Sequence, residues 1–311
     1  LEGRPGAGAA FVVYSRPMPD QRPAHDVLPL GAAPRPTTAP ELLARLRPAV
    51  LDTLGPEVEG TAAVRLDADL EGPDVSRLDV DLTGVRVRLG ADRPASSSGR
   101  STSPTVDVEH VRSREDAVVR RLRVDAHPLL VDDVPVDVTA EIEGLRFRWV
   151  EGADGSLAVE GVEPDDAAPL GGHVRVSAPR EAVLATARRI VATELQNIGL
   201  TLASLDVDLV ATGPRTMSLQ AFARVRKGLL SASVRATGTA EVDARMVLTV
   251  RDLELSSRNP VVAALLVVAR GELAKVEGRH VDLAADLPPG VRVADVRVEA
   301  GEHLAVTARL A

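Results

Sequence analysis

DLTGVRVRLG (81–90) and EIEGLRFRWVEG (141–152) share one form: a glycine followed by apolar residues that alternate with arginine. Ahead of Gly84 the apolar positions are even-numbered (Leu78, Val80, Leu82), and beyond it they are odd (Val85, Val87, Leu89). The same exchange occurs at Gly144, from Val136, Val138 and Ile142 to Leu145, Phe147 and Trp149. Successive side chains of a strand point to opposite faces, so a one-residue change of phase requires a displaced backbone. Glycine permits that displacement, and the expected result is a β-bulge that bends the strand. GVRV (290–293) reads as a weaker third copy.

The same alternation runs through most of the chain. VRLDADL (64–70), RLDVDL (77–82), VPVDVTAEI (134–142), SLDVDLV (204–210) and AEVDARMVLTVRDLEL (240–255) each place apolar residues on one face and charge on the other. They read as half-buried antiparallel strands. If 134–150 is one strand, it spans about 55 Å.

Three segments have helical period instead. PELLARLRPAVLDTL (40–54) places Leu42, Leu43, Leu46, Val50 and Leu54 at three- and four-residue steps, with Pro48 expected to kink it. In 179–199 a stripe of Val183, Ala187, Ile190, Val191 and Leu195 ends at Gly199. The third, NPVVAALLVVARGELAKVEGRH (259–280), opens on Asn259 as N-cap and carries Val261, Val262, Leu265, Leu266, Ala269 and Leu273. Its uninterrupted apolar run is about half the roughly twenty residues that a spanning helix needs. Long bent strands with few helices predict an α+β fold: a long, strongly curved antiparallel sheet wrapped around two or three long helices.

Residues 1–39 lack sustained periodicity and read as an extended Pro-rich tail ahead of one elongated domain over 40–311, with possible halves 40–170 and 171–311. ADRPASSSGRSTSP (91–104) reads as a surface loop. GAGAAFVV (6–13) is too short for the apolar region of a secretory signal, so the compartment stays open.

Composition narrows the chemistry. The chain of 311 residues is 45% hydrophobic but 2% aromatic, with a formal charge of −8. Neither a basic stripe nor stacking aromatics are available for nucleic acid. With no cysteine, thiol catalysis and Cys-ligated metals are excluded. The histidines (His25, His110, His127, His173, His280, His303) have no ligand spacing, and no nucleophile elbow or phosphate-cradling glycine loop occurs. No metal, cofactor or catalytic residue is therefore expected. Asp67/Asp69, Asp79/Asp81 and Asp206/Asp208 lie about 7 Å apart on strand faces, a spacing open to a divalent cation; the alternation itself accounts for them as solvated charge. Arg86/Arg88 and Arg146/Arg148 suit either lipid phosphate or a membrane surface, or else acidic partners on neighbouring strands.

The order SSRNPVVAALL, helix, GRHVDLAADLPPGVRVADVRVEAGEHLAVTARL, together with GGHVRVSAPREAVLATA and the upstream LDVDLTGVRVRL strands, resembles the actinobacterial LmeA-like phospholipid-binding domains. The resemblance covers 60–311 and implies a tubular lipid-binding fold and a cell-envelope setting. It implies a phospholipid or other acyl-chain ligand in a cavity lined by the helix stripes above with Phe147 and Trp149, with transient membrane contact through the arginine pairs. It carries no catalytic residues. The alternative is a structural or interaction module with a filled core and a protein partner of unknown identity.

Overall fold

The computed structural model describes residues 27–53, 57–88, 110–165, 169–197, 199–227, 230–243, 246–257, 280–282 and 291–311. Of these, 66% lie in strands and 16% in helices. The strands form two open sheets and the α-helices number two among the described residues. This corrects the expected architecture: among the described residues the strands form open sheets, and no curled sheet wraps two or three long helices. The alternating pattern specified which face of each strand is apolar, but it could not specify that the strands would divide between two sheets.

In chain order, β1 (Val27–Ala32), β2 (Val58–Glu59), β3 (Arg65–Glu71), β4 (Asp74–Asp81), β5 (Arg86–Val87), β6 (Val111–Val131), β7 (Val134–Gly152), β8 (Ser156–Gly161) and β9 (Gly171–Pro179) belong to the larger sheet. Its path is completed by β15 (Val293–Ala300) and β16 (His303–Leu310), in the order β15-β16-β9-β7-β6-β4-β3. The smaller sheet is a meander of β10 (Thr201–Gly213), β11 (Thr216–Lys227), β12 (Leu230–Val242), β13 (Val247–Ser257) and β14 (His280–Asp282). Pairing is antiparallel except where β4 and β5 run parallel to β6, a crossover that alternation alone cannot reveal. The larger sheet draws strands from both 40–170 and 171–311. Residues 27–32, within the stretch read as a tail, form β1 and pair with β8.

Helix α1 (Ala39–Thr53) starts where Thr38 Oγ1 accepts from the Glu41 amide, while the Glu41 carboxylate accepts from the Thr37 amide at 3.0 Å. This exchange resembles a capping box. Pro48 lies within the helix without ending it. Leu42 and Ala49 enter a core with Leu30, Val75, Phe147, Trp149 and Leu157. Helix α2 (Arg180–Asn197) follows β9 directly and lies against β7, β9 and β10. Among its residues only Leu184 is buried.

Both glycines of the opening motif adopt left-handed backbone, at φ +85 for Gly84 and φ +76 for Gly144. Gly84 separates β4 from β5. There β6 is displaced too, with a register shift against β7 between Ala126 and Leu129, and the Gly84 amide donates to the Pro128 carbonyl at 2.9 Å. At Gly144 the expected bulge is absent, because the β6–β7 register stays unshifted across it. Instead both strands exchange faces together. Ala140 is buried before Gly144, and Phe147 and Trp149 after it; on β6, Ala117 and Val119 give way to Ala126. At the same point β7 changes its outer neighbour from β9 to β8. One strand thereby serves the α1 core with one half and a separate apolar face with the other.

Candidate functional site

That separate face is continuous across five strands. In register, Ala126 on β6 meets Val138 on β7, then Val176 on β9, Val306 on β16 and Val298 on β15. The adjacent row is Val124, Ala140, Val174, Ala308 and Val296. Directly opposed residues share a face, so the two rows form one apolar surface. One end is sealed: Val296 packs with Val242 and Met246, supported by Leu248, Val293 and Ala308, which joins the two sheets. Toward the middle it is open, with Val176 39% and Val306 45% exposed. Five strands at about 4.8 Å spacing make a row about 19 Å wide.

The reverse face is a ladder of charge. Arg175 bridges to Glu299 at 2.9 Å, Arg215 to Asp295 at 2.7 Å, and Arg121 to Glu141. These guanidiniums hold the Glu299, Asp295 and Glu141 carboxyls below their ordinary range. Arg77 gathers Asp67, Asp69 and Asp79 at 2.5–2.8 Å, and its own pKa rises, chiefly through the hydrogen bond to Asp69. Asp67, Asp69 and Asp79 thus share one arginine of the same sheet, while Asp74 pairs with Arg120 at 3.1 Å and Asp81 lies 4.0 Å from Arg65. Asp208 pairs with Arg180 of α2 at 2.7 Å. Among the described residues no acidic or histidine cluster suits a metal ion, and no helix is long and apolar enough to cross a membrane.

At the end of the β6–β7 hairpin, α2 closes one side of a pocket of about 320 Å³. Arg86 and Val87 line it from β5 and Arg88 from just beyond, Leu130, Asp132 and Asp133 from the hairpin, and Thr186, Arg189 and Ile190 from α2. The slip at Gly84 builds this wall, because it turns Val85 into the core, 2% exposed, and leaves Arg86 and Arg88 outside. Asp132 and Asp133 make the two-residue turn with φ +46 and +70. The turn is anchored by Asp132 N–H on the Val87 carbonyl and by Arg189 on the Asp132 carbonyl at 3.2 Å. On the opposite flank of α2 a hollow of about 670 Å³ is lined by residues that include Arg180, Leu184, Ala185 and Arg188.

Compared with known protein families, curated proteins and solved structures, the chain matches none.

The sequence-derived positions divide accordingly. Arg86, Arg88 and Ile190 meet in the pocket. Arg146 and Arg148 do not; they pair with Asp165 at 3.2 Å and Asp116 at 2.8 Å. Phe147 and Trp149 sit in the filled core beneath α1, not beside α2. Val183, Ala187, Val191 and Leu195 are half-buried along α2. Val261, Val262, Leu265, Leu266, Ala269 and Leu273, with their helix, lie outside the described residues. Sequence reasoning missed Thr186, Arg189, Asp132 and Asp133, and it missed the Val176–Val306 row. VRV (174–176) and LAV (304–306) carried its signal, but only strand order brings them side by side.

Proposed function

We propose that the chain binds an acyl-chain lipid, a phospholipid or related amphiphile, without chemically altering it. The observation that carries this reading is the apolar row through Val138, Val176, Val306 and Val298, open at its centre and sealed at one end. Contiguous exposed apolar surface on an otherwise charged sheet marks a binding face. Burial at about 0.8 kcal/mol per CH₂ gives an acyl chain substantial affinity with no directional contact. The pocket with its arginines lies where α2 approaches β5, and the resemblance of 171–311 to LmeA-like domains points to the same class of ligand.

Val176→Asp with Val306→Asp is the direct test. Both positions are more than a third exposed, so the fold should survive with a stability change within about 1 kcal/mol. Binding of an uncharged fluorescent acyl ester should fall by at least about tenfold, since two buried contacts are replaced by charge. Unchanged probe affinity in a folded double variant would remove the row from the site. A protein partner or second copy on this face would appear instead as a concentration-dependent mass in ultracentrifugation with no probe bound.

A further inference from the structure

Met246 joins an uncommon backbone to a buried side chain. Its φ is +63, in the left-handed region, and it is 4% exposed. Hairpin loops ordinarily give that conformation to glycine, because a Cβ crowds the backbone there. Two hydrogen bonds hold the end of the β12–β13 loop: the Met246 amide donates to the Asp243 carbonyl at 3.1 Å, and the Val247 amide to the Asp243 carboxylate at 3.0 Å. Strained backbone of this kind persists only where its surroundings fix it, so the side chain it carries asks for an explanation. That side chain leaves the smaller sheet for the larger one. Met246, Val242 and Val296 form one buried cluster, with Val293 and Ala308 packed against it. Val296 and Ala308 are the β15 and β16 members of the second apolar row. Val298 and Val306, of the first row, lie two residues away along the same two strands.

We propose that Met246 is the stop that sets the length of acyl chain this face accepts. The proposal rests on the lipid-binding reading and adds to it the residue that makes binding selective. Val176 and Val306 are the exposed part of the face. A chain that lies over them and points along β16 toward Ala308 meets the Met246 cluster after about 7 Å. Up to that point each added CH₂ is worth about 0.8 kcal/mol, which is about fourfold in affinity. Beyond it a further CH₂ must displace a packed side chain or stay in water, and the gain ends. Methionine suits the task, because an unbranched thioether fills an irregular gap between two sheets and still presents an apolar end. A Met246 that served only to join the sheets would be buried in the same way, and chain-length dependence separates the two roles.

The test uses the full chain loaded with an uncharged fluorescent acyl ester and displaced by straight-chain saturated fatty acids of increasing length, each below its micelle concentration. Wild-type affinity should rise about fourfold per CH₂ to a limit and then level off. Met246→Gly suits the left-handed backbone and empties the space of the side chain, so the limit should move to chains about three carbons longer. Affinity for chains below the wild-type limit should not change. Val242→Ala should move the limit in the same direction, and Ala308→Val, which adds bulk ahead of the stop, in the opposite one. Should Met246→Gly fail to fold by circular dichroism, the last two variants decide by their opposite signs. Folded variants that melt at a lower temperature but keep the wild-type limit would make Met246 a joint between the sheets only and overturn the inference. So would a wild-type affinity that climbs with length and never levels off. If no fatty acid displaces the probe and the probe itself does not bind, the lipid-binding reading falls and takes the stop with it.

Discussion

Trp149→Ala is expected to lower the stability of the chain by about 4 kcal/mol, the range for emptying a large aromatic site in a packed core. Trp149 is 3% exposed and meets Phe147 edge-on with ring centroids 5.2 Å apart. Its indole N–H donates to the Pro73 carbonyl at 2.9 Å, which ties β7 to the β3–β4 turn. Truncation leaves a cavity under α1 and strands that carbonyl, and both effects have the same sign. Domains of ordinary stability have about 5–15 kcal/mol in total, so the variant should sit near its unfolding threshold. Trp149→Phe keeps most of the volume and loses the hydrogen bond, and should cost about 1–2 kcal/mol. Denaturant titration followed by circular dichroism measures both, since the chain has a single tryptophan and loses its fluorescence signal with it. A Trp149→Ala variant within about 1 kcal/mol of wild type would mean that Phe147 and Trp149 do not share a filled core.

Gly172→Ala should be the most damaging single methyl addition among the described glycines. Gly172 has φ +155, and a Cβ there would lie 2.3 Å from the Glu141 carbonyl oxygen and 3.1 Å from Ile142 Cα. Those atoms are backbone of β7, so no side-chain rotation relieves the overlap. Gly172 is held between Ile142 on β7 and Leu310 on β16, and β9 must move away from both neighbours to admit the methyl. The expected loss is about 3 kcal/mol, from overpacking together with an unfavourable backbone conformation. Gly171→Ala is the internal control. Nothing lies within 4 Å of a Cβ at that position, so the change should stay within about 0.5 kcal/mol. Melting both variants side by side tests the β7–β9–β16 register that the valine row depends on.

What the sequence disclosed about the fold was local. The parity exchange marked Gly84 and Gly144 as places where the strand changes face, because alternation records which face each residue occupies; the structure gives both glycines left-handed backbone, without the bulge expected at Gly144. The strand read over 134–150 is observed as Val134–Gly152, and the helix read over 179–199 as Arg180–Asn197. Alternation does not record partners. A face exchange at Gly144 has the same signature whether one strand bulges or two turn together, and only the unshifted pairing with β6 distinguishes them. Parallel pairing of β4 with β6 and the division into two sheets depend on long-range order that no local pattern encodes.

The site followed the same division. Arg86 and Arg88 were visible as a comb, but so were Arg146 and Arg148. What separates them is the carboxylate opposite each: Asp165 and Asp116 answer the second pair, while Arg86 faces a pocket. Arg189 lies on a helix between Arg188 and Ile190 and carries no pattern of its own. It joins the site only because α2 passes the β6–β7 turn.

The most direct measurement of the central claim is covalent mapping with a fatty acid that carries a diazirine on its chain. Irradiation of the bound complex, digestion and mass spectrometry of the peptides report which side chains the acyl chain touches. Label concentrated on the β9 and β16 peptides that contain Val176 and Val306, and competed away by unlabelled lipid, is the predicted result. Label absent from both peptides, or spread over the chain without competition, would contradict the assignment of this face to a lipid.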